Sequence, residues 1–330
     1  MSRADAIQTL SIVVPVYNEE EVLETFHQQL QRVIDQLPVR VMVYYINDGS
    51  TDRTGEIVQR LAAADRRVAY LELSRNFGHQ AALTAGLDVA PGDAVITMDG
   101  DGQHPPDLIP RLLDVFQAGC DIVMTQRMED RTASVFKRQT AGWFYRFINQ
   151  IGETKILPGA ADYRLMSRQV VEALKQMPEY HRFLRGMIPW LGFQVAVLPY
   201  QVPQRLAGRS KYSFRKMARL AADAVFSFSL VPLRIGISLG VVFFVLAVLE
   251  VAYVLSLWLH NTQNALAPGW SSLMFMMLII GSIQMIITGF IGVYIGYIFQ
   301  EVKRRPPYLI RTFHPGAQNE PTAPDQSPRG

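Results

Sequence analysis

The sequence lacks the features that mark secreted proteins and common nucleotide-cofactor enzymes. Its 330 residues include a single cysteine, Cys120, which excludes an intramolecular disulfide and is typical of a reducing compartment. No apolar segment near residue 1 resembles a cleaved signal peptide. No Gly-x-Gly-x-x-Gly follows a predicted strand and no Gly-Lys-Ser/Thr loop occurs. Both absences argue against a dinucleotide-dependent oxidoreductase and a P-loop NTPase.

Charge is scarce, both overall and in two long segments. The formal net charge is only +3, so bulk electrostatics does not favour a nucleic-acid partner. Residues 235–259 contain one charged side chain, Glu250, and residues 271–299 contain none. Each run exceeds the roughly 20 residues that a helix needs to cross a bilayer. The sequence therefore predicts two transmembrane helices, since buried core helices are seldom so long and so free of charge.

The basic residues that flank these runs predict their orientation. Arg and Lys residues precede the first run and follow the second, whereas residues 260–270 between them have neither. By the positive-inside rule we expect a multi-pass protein of the inner (plasma) membrane with both termini in the cytoplasm. We expect a cytoplasmic domain at 1–210, an amphipathic juxtamembrane segment at 211–234, the two spans within 235–299 with an extracytoplasmic loop at 260–270, and a cytoplasmic tail at 300–330. The tail is polar after Pro306 and predicts disorder, largely after residue 312.

Apolar β-branched runs alternate with segments of helical spacing in the first part of the chain. Strands are predicted at 10–17, 41–46, 68–73, 94–98 and 121–125, and helices follow the first three. This alternation predicts an α/β fold with a doubly wound, mostly parallel sheet. Ligands of such sheets bind beyond the carboxyl ends of the strands. The polar motifs of this sequence follow the strands at those ends.

The segment Asp99-Gly-Asp-Gly-Gln103 follows the fourth predicted strand. Residues two apart point to the same side of an extended chain, so Asp99, Asp101 and Gln103 can direct three oxygen-bearing side chains to one point. Mg²⁺ or Mn²⁺ prefers such oxygen ligands and leaves positions for water and substrate phosphate. The alternative is an acidic turn that caps the next helix.

Six motifs together resemble one enzyme family: Pro15-Val-Tyr-Asn-Glu19, Asn47-Asp-Gly-Ser-Thr-Asp52, Arg75-Asn-Phe-Gly78, Asp99-Gly-Asp-Gly-Gln-His-Pro-Pro106, Asp162-Tyr-Arg164 and Gly208-Arg-Ser-Lys-Tyr212. They resemble the inverting family-two glycosyltransferases, and more narrowly the polyprenyl-phosphate glycosyltransferases. The resemblance covers about residues 8–310 and implies a GT-A-like fold. Two of these motifs depart from the family pattern. Asn47 stands where the family usually has aspartate, and Gly100 and Gly102 replace the usual Ala and Leu.

The resemblance implies roles for particular residues. The residues that would line the nucleoside pocket are Pro15, Tyr17, Glu19 and Asp48. A diphosphate-bound metal would be held by Asp99, Asp101 and Gln103. The acceptor phosphate would be bound by Arg127 and Arg131, and the donor phosphates would lie near Arg209 and Lys211. Asp162 is often assigned as a general base in this family, and we expect it to act partly through orientation. The alternatives are a solvated basic face for the arginines and a helix N-cap for Asp162.

The function implied is transfer of a sugar, most simply glucose from UDP-glucose, to polyprenyl phosphate with inversion, for cell-envelope glycosylation. Two basic amphipathic segments, 131–151 and 212–233, are consistent with a membrane-bound enzyme, because such segments lie at the lipid interface. The alternative is that they are ordinary core-facing helices. Gly289, Gly292 and Gly296 form a small-residue strip that would permit a homo-oligomer. Two alternatives remain. A processive polysaccharide synthase usually has more spans and a Gln-x-x-Arg-Trp motif, absent here, and a non-catalytic scaffold would bind the donor without turnover.

Overall fold

The computed structural model describes residues 7–128, 157, 159–177, 179, 182–201 and 269–316, with isolated positions between 238 and 260. By contacts the chain divides into two units. The larger contains residues 1–150, 154–212 and 306–330, and the smaller contains 151–153 and 213–305.

The larger unit is built on one eight-stranded sheet. Its strands are β1 (Thr9–Val16), β2 (Arg40–Asn47), β3 (Val68–Leu73), β4 (Ala94–Thr97), β5 (Ile122–Arg127), β6 (Ala160–Ser167), β7 (Val195–Tyr200) and β8 (Ile310–His314). Its helices are α1 (Leu23–Ile34), α2 (Thr54–Ala64), α3 (His79–Val89), α4 (Ile109–Gln117), α5 (Arg168–Lys175) and α6 (Leu184–Trp190), with a short 3-10 helix at Pro106–Leu108. The five predicted strands are confirmed as β1 to β5.

The sheet is mixed rather than mostly parallel. The strand order is β7-β5-β6-β4-β1-β2-β3-β8, and four pairings are parallel while three are antiparallel. The predicted strand 121–125 does not pair with β4, because β6 lies antiparallel between them. Strand order reverses at β1, which has β2 on one side and β4 on the other. This switch point is where open α/β sheets bind ligands.

One alternative and one expectation about chain segments are wrong. Asp162 is not a helix N-cap, since it lies inside β6 and the cap of α5 is Ser167, whose Oγ accepts from the Val170 backbone N–H at 3.3 Å. The predicted disorder after Pro306 is wrong for Ile310–His314, which forms β8 and extends the sheet beside β3. Two side-chain contacts hold β8 and the residues before it against the larger unit. Tyr308 donates to Asp88 Oδ2 at 2.7 Å, and Arg311 forms an ion pair with Glu72 at 3.0 Å.

Helix α3 lies directly on the strands that form the switch point. It packs against β1 and β2, and a Cβ on Gly86 would come within 2.2 Å of Val13 Cγ1. A glycine is therefore needed for this close approach. The packing fixes the N-terminus of α3, which begins at His79, at the carboxyl edge of the sheet.

The smaller unit contains α7 (Trp270–Lys303). Among the described residues, one segment is long and apolar enough to cross a membrane, Ile279–Lys303, with a mean hydropathy of 1.8. The second predicted span is therefore helical, and by length and composition it meets the requirement for crossing a bilayer. The first predicted span, 235–259, is described only at scattered positions.

Candidate active site

Three carboxylates meet at the carboxyl edge of the central strands. Asp48 follows β2 and Asp99 follows β4, so their parallel strands deliver both residues to the same edge. Asp162 reaches this edge because β6 runs antiparallel to β4, with Arg164 opposite Thr97. The Thr97 hydroxyl donates to the Asp162 carbonyl at 2.6 Å and fixes this register. The sequence motifs at the strand ends are therefore neighbours in space.

The first two motifs form the part of the site next to the switch point. Pro15 pairs with Ile46 across β1 and β2, and the Asp48 N–H donates to Val16 O at 3.0 Å. Asn18 Oδ1 accepts from the Thr51 N–H at 2.9 Å, and the Glu19 N–H donates to Thr54 Oγ1 at 2.9 Å. These contacts join the two turns into one layer. The predicted nucleoside residues Pro15, Tyr17, Glu19 and Asp48 all lie in this layer.

Asp48 connects this layer to the loop before α3. Its carboxylate accepts from the backbone N–H groups of Phe77 at 2.7 Å and Gly78 at 2.9 Å. Gly49 allows the loops to touch, since it has φ 64° and a Cβ there would lie 2.5 Å from the Arg75 carbonyl carbon. Burial raises the pKa of Asp48, although both amides oppose the shift. Asp48 thus orders backbone as well as lying in the predicted nucleoside pocket.

Asn47, which departs from the family pattern, has a structural role. Its Oδ1 accepts from the Ser50 N–H at 3.0 Å, and its Nδ2 donates to the Tyr70 hydroxyl at 3.4 Å. An aspartate could accept from Ser50 but could not donate to Tyr70. The amide therefore suits this environment.

The acidic loop after β4 does not bring its three oxygen-bearing side chains to one point. Asp101 instead pairs with Gln103, accepting from the Gln103 N–H at 3.0 Å and from its Nε2 at 2.7 Å. Gln103 Oε1 in turn accepts from Arg127 Nη1 at 3.3 Å. The helix-cap alternative is also wrong, because neither the 3-10 helix nor α4 has a side-chain cap.

Asp99 retains the property expected of a cation ligand. Its Oδ1 is buried and has no hydrogen-bond partner, and His79 Nε2 lies 3.4 Å from it. No group of three or more His, Cys, Asp and Glu side chains in the described part of the chain could hold a metal ion. Mg²⁺ commonly binds through one or two carboxylates and completes its shell with water and substrate phosphate. The orphaned Asp99 oxygen and the nearby Asp101 fit that mode of binding.

The two glycines of this loop have separate explanations. A Cβ on Gly100 would lie 3.1 Å from Val16 Cγ1 and 3.2 Å from Val14 Cγ1, so the missing methyl relieves a tight contact with β1. Gly102 has φ 78°, in the left-handed region that glycine adopts without a Cβ penalty.

Asp162 is surrounded by cations. Its Oδ1 accepts from Arg164 Nη2 and, at 3.1 Å, from Arg185 Nε, while its Oδ2 accepts from Arg185 Nη2 at 2.7 Å. His79 Nε2 lies 3.5 Å from Oδ2. Burial alone would raise the pKa of Asp162, but His79, Arg185 and Arg164 together hold it well below its usual range. The carboxylate is therefore ionised at neutral pH and is a weak proton acceptor.

His79 and Arg185 were not predicted from the sequence. His79 follows the Arg75-Asn-Phe-Gly78 motif directly and touches both Asp99 and Asp162, so its place after a motif was an available signal. Desolvation lowers the pKa of His79, but the two carboxylates outweigh it and the net shift is upward. Arg185 lies in no recognised motif and comes to Asp162 only through the fold.

Arg127 is the described member of the predicted phosphate-binding cations. It ends β5, and its Nη2 lies 3.2 Å from His104 Nε2. The His104 ring is fully buried and stacks on Tyr163 with centroids 5.2 Å apart. Arg127 is thereby held beside the acidic loop. The other predicted cations, Arg131, Arg209 and Lys211, and the segments 131–151 and 212–233 lie outside the described residues.

Sequence comparison decides the family. The family model described as glycosyl transferase family 2 matches residues 11–175. The chain is 40% identical over 310 residues to a prophage-derived bactoprenol glucosyl transferase of Shigella flexneri, covering 93% of this chain and 99% of that protein. The chain belongs to glycosyltransferase family 2. These relatives place it in the polyprenyl-phosphate glycosyltransferase subgroup.

A second relative agrees with this assignment. A prophage bactoprenol glucosyl transferase homolog of Escherichia coli K12 is 40% identical over 306 residues, 92% of this chain and 98% of that protein. Among solved structures, glucosyl-3-phosphoglycerate synthase of Mycobacterium tuberculosis with Mn²⁺, UDP-glucose and phosphoglyceric acid has a TM-score of 0.45 at 19% identity. The matched region covers 68% of this chain and 79% of the synthase chain.

Proposed function

We propose that this protein transfers glucose from UDP-glucose to polyprenyl phosphate at the cytoplasmic leaflet, with inversion to a β-linked product. The observation that supports it most is the 40% identity to bactoprenol glucosyl transferases over nearly the whole length of both chains. The site supplies the matching geometry, because its nucleoside layer, acidic loop and cations lie along one edge of the sheet.

The acidic loop would hold Mg²⁺ or Mn²⁺ through Asp99 and Asp101. The Gln103 amide oxygen, which accepts from Arg127 and has a second lone pair, would be a further ligand. The ion would supply Lewis-acid stabilisation of the charge on the departing diphosphate. Asp101 is held in place by the Gln103 amide, and Gln103 by Arg127.

The acceptor requires little help from a general base. A phosphomonoester has a second pKa of about 6, so it is already largely ionised near neutrality. Asp162 would therefore act by holding its cations in place. Arg127, with Arg131, would bind the acceptor phosphate through paired N–H donors. Arg209 and Lys211 would close on the donor diphosphate.

A membrane anchor would bring the acceptor to the site. The apolar segment Ile279–Lys303 supports one span, and the sequence predicts another at 235–259. The cluster Lys303, Arg304 and Arg305 supports a cytoplasmic location for the end of α7 by the positive-inside rule. The glycine strip of α7 is the proposed contact for a homo-oligomer.

A donor panel tests this proposal. The purified full chain in detergent would be incubated with polyprenyl phosphate and radiolabelled UDP-glucose, UDP-N-acetylglucosamine, GDP-mannose or UDP-4-amino-arabinose, with Mg²⁺, Mn²⁺ or EDTA. We expect label in the lipid phase with UDP-glucose and a divalent ion, in the β configuration by NMR. Absence of lipid-linked product with every donor would refute the proposal. UDP-glucose binding without turnover would favour a non-catalytic scaffold, and a polymeric product would favour a processive synthase.

A further inference from the structure

Arg185 is a partly exposed arginine bound to a buried carboxylate at the edge of the active site. Its Nε and Nη2 contact the two oxygens of Asp162 at 3.1 and 2.7 Å. The Arg185 side chain is 32% exposed, whereas that of Asp162 is 3% exposed. The Arg185 side chain therefore joins a buried anion to the protein surface. Arg185 also lies beyond the residues that the family model matches, 11–175.

Arg185 is the second arginine bound to Asp162. Arg164 forms an ion pair with the same carboxylate, and its side chain is 1% exposed. Arg185 is therefore the partly exposed partner of a carboxylate that also has a fully buried one. A cation fixed at a partly exposed position attracts an anionic ligand.

Three elements fix the backbone next to Arg185. The Leu184 N–H donates to Gln80 Oε1 on α3 at 3.2 Å, and the Leu184 carbonyl accepts from Arg164 Nη1 on β6 at 3.5 Å. Arg185, on α6, then returns to Asp162 on β6. A guanidinium held at its backbone and at its head group loses little entropy when it binds a ligand.

The neighbours of Arg185 lead to the acidic loop. His79 Nε2 lies 3.5 Å from Asp162 Oδ2 and 3.4 Å from Asp99 Oδ1. The His79 imidazole thus lies between Asp162, which binds Arg185, and Asp99, which is proposed to bind a diphosphate-bound cation. Arg185 is therefore close to where phosphate charge must be stabilised in the reaction.

We propose that Arg185 binds a phosphate group of a substrate and that Asp162 is the residue that positions it. This inference rests on the proposed function, because it takes the site to be one for phosphate-bearing substrates. A guanidinium has five N–H donors in a fixed fork, so it can contact a carboxylate and a phosphate together. The phosphate is either that of the donor diphosphate or that of the lipid acceptor, and the two sources bind in separable steps.

The experiment compares Arg185→Gln and Arg185→Lys with Arg168→Gln as the matched control. Arg168 has a similarly exposed side chain, 28%, and also binds backbone carbonyls and one carboxylate. It follows β6 at the opposite end of the sheet, where Ser167 pairs with Ala94. Calorimetry with UDP measures donor binding without turnover (the UDP arm). The KM for polyprenyl phosphate at saturating UDP-glucose reports on acceptor binding. Thermal unfolding reports whether each variant is folded.

We expect Arg185→Gln either to raise the Kd for UDP or to raise the KM for lipid phosphate, by roughly tenfold to a hundredfold, the loss typical of one charge-assisted contact. The constant that changes shows whether Arg185 binds the donor diphosphate or the acceptor phosphate. Arg185→Lys should recover part of the loss because it keeps the charge, and Arg168→Gln should leave both constants within about threefold of wild type. If Arg185→Gln is folded and neither constant changes by more than threefold, the inference is wrong. Absence of lipid product from the wild-type protein would instead refute the proposed function, and the UDP arm would still test Arg185.

Discussion

The Asp48 carboxylate accepts a 2.7 Å hydrogen bond from the Phe77 backbone N–H, which joins the end of β2 to the loop that follows β3. The adjacent Gly78 N–H binds the other oxygen at 2.9 Å, and the next residue is His79, which touches Asp99 and Asp162. A single carboxylate thus links the proposed nucleoside layer to the residues of the proposed reaction centre.

Asp48→Asn should weaken UDP binding. One of the two backbone N–H groups would then face an amide N–H₂, and the loss of a charged acceptor costs about 1.5–3 kcal/mol. We expect roughly a tenfold or greater rise in the Kd for UDP, measured by calorimetry. Asp93→Asn is the control, because Asp93 also accepts two backbone N–H groups, those of Gln8 and Thr9, at the other end of the sheet. Equal UDP affinity in both variants would show that Asp48 has no part in the donor site.

Asp101→Ala should reduce turnover by at least about a hundredfold and leave the protein folded. The substitution removes a proposed metal ligand and the acceptor that orients Gln103. Loss of transition-state charge stabilisation of this kind costs about 10²- to 10³-fold in rate. The measurement is glucose transfer across a Mg²⁺ and Mn²⁺ titration, and EDTA should silence the wild-type protein in the same way. Asp107 is an exposed carboxylate in the 3-10 helix that follows the loop, and Asp107→Ala is expected to remain active. Near-normal rates for Asp101→Ala would remove the basis for the metal assignment.

Removal of β8 should destabilise the larger unit. A chain ending at Pro307 loses the Tyr308–Asp88 and Arg311–Glu72 contacts and the pairing with β3. We expect the thermal midpoint to fall by several degrees, since about 1 kcal/mol shifts Tm by roughly 2–4 °C in a domain of this size. A chain ending at Gly316 keeps the strand and should keep the contribution it makes. Identical midpoints for the two truncations would contradict a stabilising role for β8.

His27 should make the protein less stable as the medium is acidified. Its Nδ1 lies 3.0 Å from the Tyr45 hydroxyl, and burial lowers its pKa, with Asp65 opposing the shift. His27 therefore takes up a proton near pH 6.5 in the unfolded chain but only at lower pH in the folded chain. Its contribution to the free energy of unfolding is full above about pH 6.5 and decreases as the pH falls towards the folded-state pKa.

The test compares thermal unfolding of wild type and His27→Gln at pH 7.5, 6.5 and 5.5. The glutamine can still bond to Tyr45 but does not titrate, and the other histidines contribute equally to both proteins. We expect the stability advantage of wild type over His27→Gln to shrink as the pH is lowered. An advantage that stays constant or grows would contradict a buried neutral His27.

Local pattern was sufficient for much of the fold and site. β1 to β5 are contiguous apolar runs ended by turn residues, so spacing and turn chemistry identify them without reference to distant residues. Asp48 and Asp99 were found in the same way, because polar motifs at the carboxyl ends of parallel strands must share an edge. The family could be inferred from the order of those motifs, and sequence comparison confirms it.

Only the tertiary structure decided the contacts that depend on long-range pairing. The insertion of β6 between β4 and β5 brings Asp162 to the edge, and no local pattern encodes which strand pairs with which. The joining of β8 to β3 connects residues more than 200 positions apart. Arg185 reaches Asp162 because α6, β6 and α3 converge on Leu184. Sequence by itself determined which residues could carry the chemistry, whereas the closure of distant segments onto one edge determined which of them meet.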